Sequence, residues 1–149
     1  MRIDLAARAD RDRLLALRHV AGWDADRVDA WLDDVAAGGR VLWIAERDGS
    51  DVGMVALLLR ADDPEVADGV RVACVTSLVV LPAARRRGLG RVLTEHVEAE
   101  ARRRYFHTLT LYTGVENGAA IDLYRGLGYT AWKETEQDWG RAVHLRKAL

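Results

Sequence analysis

The 149 residues fit one domain of ordinary globular composition, 50% hydrophobic and 30% charged with a net charge of −1, which argues against a disordered tail or a membrane-embedded chain. The 22 basic and 23 acidic side chains nearly cancel, so the broad positive field of a non-specific nucleic-acid binder is missing and no nucleic-acid partner is expected. One cysteine, Cys74, excludes an internal disulfide framework and, in the apolar run Val72-Ala73-Cys74-Val75, reads as a small buried hydrophobe in a reducing compartment.

The first ten residues alternate charge with apolar side chains and hold no signal-peptide core. No later stretch is apolar enough to span a bilayer, so a cytoplasmic location without membrane contact is expected. Ile3 and Leu5 alternate with Arg2 and Asp4 as in a short strand, and Asp10 can cap a helix carrying Leu14, Leu15, Leu17 and Arg18. Val28, Trp31, Leu32 and Val35 have the spacing of one helical face, with Asp24 or Asp26 as caps and Gly38-Gly39 as the stop. Two β-forming runs, Val41 to Ala45 and Val52 to Leu59, flank Asp48-Gly49 and predict a hairpin. A polar loop from Ala61 to Gly69 precedes a long strand predicted from Val70 to Leu81, ended by Pro82.

Then the period changes. Leu89, Val92, Leu93, Val97 and Ala101 share one helical face, with Arg91, Glu95, Glu98 and Arg102 largely on the other. A strand around Leu109 and Leu111 follows, then a short helix over Ala119 to Leu127 ended by Gly128, and the tail from Tyr129 fits a closing strand pair. The order predicts a single α/β domain over 1–149, a mixed twisted sheet with helices on both faces.

The segment Leu78-Val79-Val80-Leu81-Pro82-Ala83-Ala84-Arg85-Arg86-Arg87-Gly88-Leu89-Gly90-Arg91 carries a strand through a basic, glycine-containing turn into an amphipathic helix. Such a helix start binds phosphate: its first N–H groups lack internal partners, its dipole is positive, and glycine lets the backbone approach an anion. Arg85, Arg86 and Arg87 taken alone fit a solvated basic turn or a nucleic-acid patch at least as well. The segment lacks the Lys-Ser/Thr ending of a P-loop, which disfavours ATP or GTP and suits a pyrophosphate.

Arg85-Arg86-Arg87-Gly88-Leu89-Gly90 resembles the central motif of the GNAT superfamily of acyl-CoA-dependent N-acetyltransferases: Arg or Gln, two residues, Gly, one residue, Gly or Ala. Asn117-Gly118-Ala119-Ala120-Ile121-Asp122-Leu123-Tyr124-Arg125-Gly126-Leu127-Gly128-Tyr129 is similar to its second feature, an asparagine before a short helix ending in Leu-Tyr and a Gly-aromatic exit. The resemblance implies a mixed sheet whose two neighbouring parallel strands diverge around acetyl-CoA. It further implies that the backbone of Leu78, Val79 and Val80 meets the pantetheine arm and thioester, with N–H groups near Val80 as oxyanion donors. The loop from Arg85 through Arg86, Arg87, Gly88, Leu89 and Gly90 to Arg91 would hold the pyrophosphate, and Asn117 would contact the cofactor. Tyr124 would protonate the departing thiolate. From position alone Asn117 is a helix cap, and Tyr124 falls on the apolar stripe of Ala120, Leu123 and Leu127 as a core tyrosine would.

The base has no such pointer. Where many family members carry a glutamate, the sequence reads Thr76-Ser77 and Tyr112, which counts against the ribosomal-protein alanine acetyltransferase branch. Water, Glu46, Glu116, His19 and His144 remain candidates. The four histidines are dispersed, so no metal is expected, and neither serine, Ser50 nor Ser77, sits in a nucleophile turn. Cys74 as an acyl-carrying nucleophile is disfavoured because a thioester is already activated. Trp23, Trp31 and Trp139 fall where the family builds its acceptor pocket. The resemblance therefore implies acetyl transfer to a small-molecule or peptide amine by direct attack, in a chain that can form a homodimer. A catalytically silent acyl-CoA sensor and a nucleic-acid-binding domain using Arg85–Arg87 and Arg102–Arg104 are the alternatives.

Overall fold

A computed structural model describes residues 1–22 and 27–149; Trp23 and the caps read at Asp24 and Asp26 lie outside the described residues. A strand β1 (Arg2–Leu5) leads through a 3-10 turn into helices α1 (Arg11–Val20) and α2 (Arg27–Ala36). Strands β2 (Arg40–Arg47), β3 (Ser50–Leu58) and β4 (Val72–Val80) precede helix α3 (Leu89–Arg103). Strand β5 (Thr108–Gly114), helix α4 (Gly118–Gly126) and strands β6 (Thr130–Gln137) and β7 (Gly140–Ala148) complete the chain.

Among the described residues, seven strands form one sheet in the order β1-β2-β3-β4-β5-β7-β6. Only β4 and β5 run parallel; the other neighbours are antiparallel. The β2–β3 hairpin turns on Asp48 and Gly49 with φ of 53° and 81°, the doubly left-handed conformation whose twist matches the flanking strands and which Asp-Gly adopts readily. Alternation divides the central strands between two cores. Val41, Trp43 and Ala45 point with Val55 and Leu57 into a core under α3 and α4, built on Leu89, Leu93, Val97, Leu109 and Leu111. Leu42, Ile44, Met54 and Ala56 point the other way onto Leu14, Leu17, Val28, Trp31 and Leu32 of α1 and α2. Helices thus cover both faces, as the order of elements predicts.

Several details differ from the periodicity reading, among them Val92, which is 41% exposed although it shares the apolar stripe of α3. The fourth strand begins at Val72 rather than Val70, because the Asp68 carboxylate accepts N–H bonds from Val70, Arg71 and Val72 and folds that stretch into a turn. Glu98 is buried at 3% exposure rather than on the solvated face of α3. The Tyr129 hydroxyl and the Lys147 ammonium each donate to its Oε2 at 2.9 Å, which compensates the desolvated carboxylate.

Candidate active site

The parallel ladder between β4 and β5 is short. Val72, Ala73 and Cys74 pair with Thr108, Leu109 and Thr110, and then the strands part. The cause lies on the other edge of β4, where its register against β3 shifts between Met54 and Ala56. Two residues of β4 oppose one of β3 there, and Ser77 takes a left-handed φ of 56°, the geometry of a β-bulge that bends a strand. The bulge also exchanges faces: Ala73 and Val75 point into the α3–α4 core before it, Leu78 and Val80 after it, while Val79 points under α1 and α2. The parting leaves a cleft of 310 Å³ between Val75–Leu78 of β4 and Leu111–Thr113 of β5, closed by Asn117, Ala120, Leu123 and Tyr124. Backbone groups beyond Cys74 on β4 and Thr110 on β5 have no partner from the facing strand, so an extended chain with amides can pair with them as a strand would.

Of the three backbone positions expected to meet the thioester arm, Leu78 lines this cleft. Val79 is buried beneath α1 and α2, and Val80 sits opposite Gly53 in the β3 ladder with its carbonyl accepting the Arg85 Nε at 3.1 Å. The structure therefore brings Val75, Thr76, Ser77 and Leu78 to the cleft, two to three residues earlier than the strand-end reading. No local pattern announces the bulge at Ser77, since no glycine marks it.

The loop after β4 is a 3-10 turn at Pro82–Ala84 followed by Arg85, Arg86, Arg87 and Gly88, all exposed. Arg86 and Gly88 both take left-handed backbone, φ 63° and 75°, and consecutive turns of this kind direct N–H groups into an anion-binding concavity. Gly88 is the N-cap of α3 and supplies no side-chain bond to its first turn, so the N–H groups of Leu89, Gly90 and Arg91 remain available to a ligand beside a positive helix end. Leu89 itself is buried under the sheet, and Gly90 touches α4, where an added Cβ would lie 3.2 Å from Leu123. Two arginines are turned away from the concavity: Arg85 onto the Val80 carbonyl and Arg91 onto Glu95 at 3.1 Å. Among the described residues, Arg86 and Arg87 make no side-chain hydrogen bond or ion pair.

Asn117 is the N-cap of α4, its Oδ1 accepting from the Ala120 N–H at 3.3 Å and its Nδ2 donating to Thr113 at 3.2 Å. The same residue lines the cleft. One turn on, Tyr124 is 7% exposed and packs edge-on against Tyr129 with ring centroids 6.0 Å apart. Its hydroxyl makes no hydrogen bond among the described residues, and burial pushes its pKa up to about 12, with a smaller push from Cys74. It is thus a neutral donor facing the cleft.

Among the described residues, no carboxylate or imidazole lines the cleft. Glu46 is ion-paired with Arg2 and Arg13 at 3.3 and 3.6 Å, and His19 and Glu116 are exposed elsewhere. His144 is buried, stacks on Tyr112 at 5.2 Å, and holds Thr135 Oγ1 at 2.7 Å through Nε2. Burial and then Lys133 lower its pKa. Cys74 is fully buried with its thiol pushed up to about 11 by desolvation, which removes it as a nucleophile. Trp31 is buried on α2, whereas Trp139 is exposed at the β6–β7 turn.

Residues 9–129 match the acetyltransferase (GNAT) family. A mycothiol acetyltransferase of Thermobispora bispora is 34% identical over 131 residues, 83% of this chain, and the chain spans 44% of that relative's length. Among solved structures, a ribosomal-protein-alanine N-acetyltransferase from Brucella melitensis superposes with a TM-score of 0.82 at 25% identity, covering 100% of both chains. A Salmonella typhimurium protein solved with its cofactor acetyl-CoA reaches a TM-score of 0.80 at 23% identity, covering 100% of this chain and 94% of that one. The fold shared with the Brucella protein leaves the question of the missing carboxylate where it stood, because a scaffold does not specify the base it carries. With residues 9–129 matched and β4 and β5 parting after a short parallel ladder, the chain belongs to the GNAT acetyltransferase family.

Proposed function

We propose that this chain transfers an acetyl group from acetyl-CoA to an amine by direct attack. The observation that carries the reading is the cleft between β4 and β5, lined by Asn117 and Tyr124, on a strand that leads into the left-handed turns at Arg86 and Gly88 before α3. The residues suit the donor: an anion-binding helix start for the pyrophosphate, and unpaired strand backbone for a pantetheine arm. The relative solved with acetyl-CoA supports the same donor.

Acetyl-CoA supplies an activated acyl group: the amine nitrogen bonds to the carbonyl carbon as the carbon–sulfur bond breaks, the amine loses one proton and the thiolate gains one. Backbone N–H groups of β4 beside the bulge at Ser77 and Leu78 stabilise the negative charge that develops on the carbonyl oxygen. Tyr124 donates a hydrogen bond to the departing sulfur. With no carboxylate or imidazole among the described residues of the cleft lining, the amine proton is taken to leave through water.

Thermal melts with CoA or acetyl-CoA test donor binding, with a stabilisation of about 2.7 kcal/mol expected at a hundred times the dissociation constant and far less from ATP or NAD. Release of CoA thiol with an amine panel tests turnover. CoA binding without turnover of any amine would leave a silent sensor, and absence of both would end the reading.

A further inference from the structure

The cleft passes through the sheet rather than into one face of it. Leu111 on β5 and Val143 and Leu145 on β7 point into the core under α3 and α4, so Tyr112 and its cross-strand partner His144 lie on the opposite face. Thr76 lies on that face too, opposite Ala56 of the core under α1 and α2. The lining therefore has two ends, with Ala120, Leu123 and Tyr124 on the α4 side and Thr76 and Tyr112 on the other. A cofactor whose pyrophosphate is held at the start of α3 enters from the face that α3 covers, which leaves the mouth between Thr76 and Tyr112 for the amine.

Tyr112 is 40% exposed, yet its ring is held from one side by the His144 imidazole, with centroids 5.2 Å apart and planes at 28°. His144 is itself 3% exposed and meets Thr135 Oγ1 at 2.7 Å through Nε2, and the same Thr135 oxygen accepts from Gln137 Nε2 at 2.9 Å. A ring fixed in this way loses little freedom when a second ring stacks on it, which is what a recognition platform requires. Among the described residues the lining holds no charged side chain. Lys133, on the His144 face, is paired with Asp63 and Glu65 at 3.2 Å and does not reach the lining. A charged group carried next to the amine is therefore desolvated in the mouth without a partner, which is unfavourable.

We propose that Tyr112 recognises the acceptor, and that the amine acetylated here is carried on a flat, uncharged body, an arylalkylamine whose ring stacks on Tyr112. This rests on the reading of the cleft as an acetyltransferase site. It adds that free amino acids, which bring a carboxylate into the uncharged mouth, and polyamines, which bring a second ammonium and no ring, are poor acceptors.

The test compares phenethylamine, cyclohexylethylamine and phenylalanine as acceptors, using acetyl-CoA, following thiol release and working at equal concentrations of free base so that basicity cancels. Phenethylamine should have a KM about 2–13-fold below that of cyclohexylethylamine, the range for one aromatic pair. Phenylalanine, which adds a carboxylate to the same ring and amine, should fall about 10-fold or more below phenethylamine in kcat/KM. Tyr112→Leu should bring the two uncharged amines to the same KM and Tyr112→Phe should keep them apart, with calorimetry of CoA separating lost acceptor recognition from lost cofactor binding. If either variant fails to fold, the ratios measured in the parent decide. Equal KM values for the two uncharged amines in the parent, a preference that survives Tyr112→Leu, or phenylalanine used as well as phenethylamine overturns the proposal while leaving acetyl transfer intact. Turnover of none of the three by a protein that binds CoA overturns it as well, and the wider amine panel then decides whether acetyl transfer itself stands.

Discussion

Replacing Tyr124 by Phe separates the catalytic tyrosine from the core tyrosine, because it removes one oxygen and leaves the ring against Tyr129. The hydroxyl makes no hydrogen bond within the described protein and Tyr124 is 7% exposed, so its loss leaves no buried partner unsatisfied and the melting temperature should hold or rise slightly. The rate effect follows from two acidities. A hydroxyl pushed to about 12 faces a thiol near 8.5, and complete proton transfer across that gap of about 3.5 units would be uphill by about 5 kcal/mol. On the proposed mechanism Tyr124 therefore acts by hydrogen bonding the developing thiolate, with the proton finally drawn from solvent. A hydrogen bond to a charged group contributes about 1.5–3 kcal/mol, so the chemical step should slow by about 10–150-fold with acetyl-CoA affinity unchanged. The assay is single-turnover acetyl transfer from pH 6.5 to 9.5, with CoA binding measured separately by calorimetry. The deficit should be flat across that range, since Tyr124 stays protonated throughout. A parent-like rate, or a slow variant that also binds CoA weakly and melts lower, would refute the assignment and return Tyr124 to the core.

Gly88→Asp should abolish CoA binding in a folded protein: nothing lies within 4 Å of its missing Cβ, and the left-handed φ costs a non-glycine residue about 1–2 kcal/mol. Gly90→Asp drives its side chain into Leu123, so thermal melts should show it losing stability along with affinity. Asn117→Ala removes the α4 cap and should cost about 1 kcal/mol in chemical denaturation, with any further loss of CoA affinity reporting a direct cofactor contact. Glu98→Ala leaves Tyr129 and Lys147 without their shared acceptor and should destabilise by about 3 kcal/mol in the same measurement. Alkaline unfolding should begin with Cys74. Burial raises its thiol from 9.0 to about 11, so the fold keeps a proton that the unfolded chain releases. That stability is complete below pH 9 and lost as pH rises through 11, and Cys74→Ala should flatten this part of the profile.

The features legible in the sequence are those whose geometry is decided within a few residues. Asp48-Gly49 specifies its hairpin turn, Gly88 the start of α3, and Asn117 the start of α4, because each depends on the chain's own backbone preferences and nearest N–H groups. The stripe of α4 likewise orients Tyr124 inward from spacing alone. What remained illegible depends on partners far along the chain. The cleft opens where it does because β3 forces a bulge at Ser77, a residue with no intrinsic preference for left-handed backbone. Glu98, in a run that reads as a polar helix face, is buried because Tyr129 and Lys147 arrive from 31 and 49 residues away. Arg40 is a desolvated guanidinium only because α2 closes over it. Local pattern fixes which way a side chain leaves its own element; which element covers it, and so whether its charge is solvated or available to a ligand, is set when the sheet and helices pack.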